Sequence, residues 1–105
     1  AVPLVKPYWM LSKGQQYRVQ LADLTLQDAS IWLLDEFAAD LDPITAAIIS
    51  SKLREIVRQL GVIVIVAAAN NSHFVKDLKP ARILKFDLGT GPRSLTTSEY
   101  LNEFF

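Results

Sequence analysis

Ile31-Trp32-Leu33-Leu34-Asp35-Glu36 decides the reading of this chain, because four apolar residues run directly into two adjacent carboxylates. A short apolar run of this kind fits a strand buried on both faces of a parallel sheet. Ionised groups without partners are expensive to bury, so the two acids belong outside that core. Their natural place is the carboxyl end of the strand, at the crevice where open α/β sheets bind ligands. There one carboxylate can hold a hydrated metal ion and the other can act on a water molecule. The plainer alternative is a strand that ends in two solvated acids.

The residues after Glu36 extend the pattern. Asp42-Pro43 is a helix start, with Asp42 as N-cap and Pro43 at the first helical position. Ile49, Leu53, Ile56, Val57 and Leu60 then recur at helical spacing, and Gly61 supplies the stop. Val62-Ile63-Val64-Ile65-Val66 contains no polar residue and reads as a second buried parallel strand. Strand, helix and strand make a βαβ unit, whose crossover is right-handed by rule. Ala67-Ala68-Ala69-Asn70-Asn71-Ser72-His73 leaves the second strand at the same sheet edge as Asp35 and Glu36. A short helix is expected near 72–78, and a third strand near 82–87 whose alternating polarity places it towards the sheet edge.

Before the first strand, Leu11-Ser12-Lys13-Gly14-Gln15 carries Ser12 and Gln15 at capping-box spacing, predicting a helix from there to about Asp28. Tyr17, Leu21 and Leu24 would line one face of it. A glycine in its first turn leaves free backbone N–H groups uncovered, and such a helix start accepts a phosphate well. Lys13 would add positive charge there. Residues 1–10 carry Pro3 and Pro7, which argue for an irregular lead-in. At the other end, Asp87-Leu88-Gly89-Thr90-Gly91-Pro92 reads as a turn. Thr96 with Glu99 marks a short final helix bearing Tyr100, Leu101, Phe104 and Phe105.

Composition narrows the classes. The chain has 105 residues, half of them hydrophobic, enough for one domain with a modest core. Eleven basic and eleven acidic residues cancel, giving no direct signal for nucleic acid or an anionic membrane surface. The absence of cysteine excludes disulfides and thiolate metal sites. No apolar run reaches membrane-spanning length and no secretory signal opens the chain, so a cytoplasmic location is expected.

Taken in order, Leu11-Ser12-Lys13-Gly14-Gln15, Ile31 to Glu36, and Leu41-Asp42-Pro43 resemble the second half of an ABC-type ATPase nucleotide-binding domain. They match its LSGGQ signature, its Walker B strand with catalytic Glu, and the end of its D-loop, over roughly residues 11 to 87. The resemblance implies an α/β fold, a partial P-loop NTPase-like parallel sheet with flanking helices; residues 88–105, beyond it, read from their own pattern as a loop and short C-terminal helix. It also implies ATP and Mg²⁺ as cofactors, bound between two domains arranged head to tail. Ser12, Gly14 and Gln15 would contact the γ-phosphate of ATP held by the opposite subunit. Asp35 would hold the hydrated Mg²⁺, Glu36 would polarise the attacking water, and Asp42 would communicate across the dimer.

The sequence departs from the family pattern in several places. Lys13 stands where a second glycine is common, and Phe37-Ala38-Ala39-Asp40 replaces the usual Pro-Thr-Ser-Ala. Asn70 and Asn71 stand where the switch histidine is expected. His73, the only histidine, lies slightly later, so either His73 or an asparagine, Asn71, would take that role, or the switch is lost. No Gly-x-x-x-x-Gly-Lys-Ser/Thr occurs, so a Walker A loop has to come from elsewhere.

The implied partner is therefore a Walker A-containing N-terminal half or a second ATPase subunit, with hydrolysis absent from this chain alone. Homodimerisation or self-association through an open sheet edge is expected, and a membrane subunit is a further partner if the whole protein is a transporter. The D-loop departure and the displaced histidine tilt the reading slightly towards a soluble, non-transport member. Two alternatives stay open: a genome-maintenance (SMC- or Rad-like) ATPase head, and a non-catalytic interaction module that keeps the fold.

Overall fold

Residues 7–68, 74–87, 89 and 91–104 are described by a computed structural model. Helix α1 spans Lys13–Leu26, strand β1 Ile31–Leu34, helix α2 Pro43–Leu60 and strand β2 Ile63–Val66. Helix α3 (Val75–Leu78), strands β3 (Ile83–Lys85) and β4 (Arg93–Leu95), and helix α4 (Thr97–Phe104) follow, and a 3-10 turn at Tyr8–Met10 precedes α1.

The βαβ unit forms as its punctuation predicts. The Asp42 side chain accepts the Thr45 amide at the head of α2, and Gly61 closes the helix in the left-handed conformation at φ 68°. β1 and β2 pair in parallel, with Ile31 opposite Ile63 and Leu33 opposite Ile65. Ile49 and Leu53 of α2 are buried against Trp32 of β1 and the surrounding core, while Val64 and Val66 pack on it from β2. Phe74, Val75 and Leu41 join the same cluster, and Leu21 anchors the inner face of α1 with Tyr17 and Leu24 beside it.

Two expectations need correction. The first strand is not buried on both faces, nor is the second. Leu33 is 73% exposed and Ile63 61%, with Ile31 and Ile65 alongside them. A four-residue apolar run records that a strand is suited to a doubly covered sheet. The described helices cover only one side, so the cross-strand pairs Ile31–Ile63 and Leu33–Ile65 form a bare apolar face.

The third strand also lies elsewhere. β3 does not join the β1–β2 sheet but pairs antiparallel with β4, in a separate two-stranded sheet. The chain reverses between Asp87 and Arg93, with Gly89 at φ 81°, and so hands β3 a sequence neighbour as partner. Asp87, Arg93 and Glu103 then tie this hairpin to α4, with Arg93 3.5 Å from Asp87 and 2.9 Å from Glu103. At the start of α4, the Thr96 amide donates to Glu99 and the Glu99 amide to the Thr96 hydroxyl, the capping box expected there.

Candidate functional site

Three segments converge at one end of the βαβ unit: the start of α1, the turn after β1 and the start of α2. At the first, Ser12 Oγ accepts the Gln15 amide at 3.2 Å while Gln15 Oε1 accepts the Ser12 amide at 2.9 Å. This reciprocal pair satisfies two of the donors left free at a helix start. It still leaves the Ser12 hydroxyl hydrogen and both hydrogens of Gln15 Nε2 able to donate to an anion. Lys13 pairs weakly with Asp40 at 3.9 Å, both side chains exposed, so part of its charge is directed at the turn after β1.

Gly14 has a second reason to be glycine. A Cβ placed there would lie 2.9 Å from Thr45 Cγ2. The missing side chain lets the first turn of α1 pack directly on the first turn of α2, beside its cap Asp42. Hydrogen bonds from Thr45, through its side chain and its amide, hold the Asp42 carboxyl below the ordinary carboxylate value.

The two acids of the opening stretch stand immediately beyond β1, and both are exposed. Asp35 Oδ1 accepts the Glu36 amide at 3.0 Å. Glu36 adopts φ 51° and Ala38 φ 60°, left-handed values that non-glycine residues seldom take. Between them the Phe37 ring is buried and meets Tyr17 and Phe74 edge-to-face, at 5.7 and 5.1 Å between centroids. The Phe37 amide donates to the Ala67 carbonyl at 3.0 Å, fastening this turn to the end of β2.

Among the described residues no three acidic or histidine side chains cluster in a way that would hold a metal ion unaided. A magnesium ion bound with a nucleotide asks less of the protein, commonly one or two carboxylates beside the phosphates and waters. Asp35 fits that share: it is exposed, and among the described residues its Oδ2 has no protein partner. His73, Asn70 and Asn71 lie outside the described residues.

One participant escaped the sequence reading altogether. The spacing expects Tyr17 only to line one face of α1. Its hydroxyl donates to the Glu36 carbonyl at 3.3 Å and accepts the Ala38 amide at 2.8 Å. Helical spacing identifies the face on which such a residue lies but carries no signal for the partner of its hydroxyl.

Similarity to known proteins bears on the chain as a whole. In an alignment of 101 positions that covers 90% of its length, the chain is 35% identical to the phosphonates import ATP-binding protein PhnC of Staphylococcus aureus strain USA300. The same protein from strain NCTC 8325 matches equally. This homology supports an ABC-type ATPase C-terminal fragment. The chain spans 38% of the length of those relatives, and the motifs it carries are those of the C-terminal part of an ABC-type domain.

The α/β fold is supported separately. A structure solved in work on ATP-driven dimerization and DNA stimulated activation of SMC ATPases superposes with a TM-score of 0.63. That match covers 98% of this chain and 65% of the other, and at 16% identity it is a likeness of fold alone. No protein-family profile matches the chain. Among the described residues no helix is long and apolar enough to cross a membrane.

Proposed function

We propose that this ABC-type segment supplies the signature motif, the Walker B carboxylates and the D-loop aspartate of an ATP-hydrolysing domain. The observation that carries the reading is the meeting of the Ser12–Gln15 helix start, the exposed Asp35–Glu36 pair and the Asp42 cap at one end of the βαβ unit. Asp35 would hold Mg²⁺, which when bound neutralises charge on the phosphate oxygens. Glu36 orients the attacking water and draws its proton. Ser12, Gly14 and Gln15 receive the γ-phosphate of a nucleotide carried by the opposing domain, and Asp42 faces that domain across the interface. His73 takes the switch role, with Asn71 as the alternative.

The partner is a Walker A-bearing half that provides the loop for the β- and γ-phosphates, and the chain alone neither binds ATP tightly nor hydrolyses it. The bare face of Ile31, Leu33, Ile63 and Ile65 supports such a partner, because contiguous exposed apolar surface marks a surface that something covers. Without that half, the same face and the open sheet edge favour self-association. Identity to import ATP-binding proteins favours a cytoplasmic subunit that works with a membrane partner, over the soluble class suggested by the departures from the motif.

The test is ATP turnover by the chain joined to its Walker A half, with Glu36→Gln beside the wild type. The substitution should leave MgATP binding intact and lower turnover by about 10²–10⁴-fold. Undiminished turnover would remove Glu36 from the mechanism.

A further inference from the structure

Resting on that reading, we propose that Tyr17 is a positioning residue that fixes the Glu36 turn and couples it to the helix start bearing Ser12, Gly14 and Gln15. Two of the three non-glycine residues with positive φ among the described residues are Glu36 and Ala38, on either side of Phe37. Such a backbone persists only where its surroundings hold it. One hydroxyl holds both of these residues, since Tyr17 Oη donates to the Glu36 carbonyl and accepts the Ala38 amide. The Tyr17 ring meets the Phe37 ring edge-on, at an interplanar angle of 89°. The turn is therefore held at three consecutive residues by one side chain.

Position along α1 gives that contact its consequence. Tyr17 lies five residues after Ser12 on the same helix, a rise of about 7–8 Å, so the helix start and the Glu36 turn move together. The exposed Lys13–Asp40 pair is a second, weaker tie between the same two segments. Burial raises the phenol above its ordinary value; the Ala38 hydrogen bond opposes this, while the nearby Asp40 and Glu36 charges add to it. The hydroxyl thus keeps the proton that it donates to Glu36. Engagement of a phosphate by Ser12 and Gln15 would then be transmitted to the carboxylate that orients water in this chain's own site.

Tyr17→Phe isolates the effect, because it deletes the hydroxyl and keeps the ring against Phe37. In the chain joined to its Walker A half, kcat should fall between about tenfold and a hundredfold, the scale of a misplaced catalytic group. The KM for ATP should stay within about twofold, since no nucleotide contact is removed. Amide exchange at Ala38 should accelerate about tenfold or more as its acceptor is lost. A merely structural role would lower stability without splitting kcat from KM. Wild-type turnover that depends on Glu36 but is unchanged by Tyr17→Phe overturns the role of Tyr17 alone, as does unchanged exchange at Ala38. Absence of Glu36-dependent turnover in the wild type overturns the functional reading itself, and the role of Tyr17 with it.

Discussion

Replacing Phe37 with alanine tests whether the turn after β1 is held by its buried ring. The side chain is 1% exposed and sits between Tyr17 and Phe74. Truncating a buried Phe to Ala costs about 3–5 kcal/mol, the larger losses arising where neighbours cannot close the cavity. Tyr17 is tied by its hydroxyl to Glu36 and Ala38, which limits how far its ring can move into the vacated space. A loss of about 3–4 kcal/mol follows, a large share of the roughly 5–15 kcal/mol that holds a domain together. With a urea slope of about 1.5 kcal/mol per molar, the midpoint should drop by roughly 2–3 M. Phe37→Leu keeps much of the volume and should lose about 1.5 kcal/mol or less. Urea unfolding followed by far-UV circular dichroism reads both. A Phe37→Ala cost below about 1 kcal/mol would refute the claim that this ring is central to the core.

Two further predictions concern the neighbouring helix starts. Gly14→Ala improves helix propensity by up to about 1 kcal/mol, yet its Cβ would meet Thr45 Cγ2 at 2.9 Å, so it should destabilise. Adding Thr45→Ser, which deletes that methyl group, should recover the loss; if Gly14→Ala alone stabilises the chain, the contact does not explain the glycine. Asp42 titrates below its ordinary value, so its cap strengthens folding fully above the unfolded carboxylate value of about 4 and is lost as pH falls through the lower, folded one. Asp42→Asn caps without titrating, so any advantage of the wild type over it should shrink below about pH 4 in urea titrations. An advantage that stays constant through that range would contradict the linkage.

Features set by near neighbours in the chain were legible in advance. Asp42-Pro43 and Gly61 bracket α2 where it forms, and the Ser12–Gln15 and Thr96–Glu99 pairs both close as capping boxes, because each rests on groups three residues apart. The acids at the end of β1 lie where an apolar run would release them. Features set by distant residues were not legible. Exposure of Ile31 and Leu33 depends on what covers the sheet, which a strand's own residues do not encode. β4 was missed because Arg93-Ser94-Leu95 is three residues long and lacks an apolar alternation to mark it. The positive φ at Glu36 and Ala38 had no glycine to announce it, since a hydroxyl 19 and 21 residues away stabilises it.

The central claim is that this chain is one part of a split ATP site, and titration calorimetry with MgATP tests it most directly. The chain alone should show no tight binding, binding should appear once its Walker A half is supplied, and Asp35→Ala should abolish it. Tight binding by the isolated chain would contradict it, because the phosphates would then be held by residues other than those assigned here.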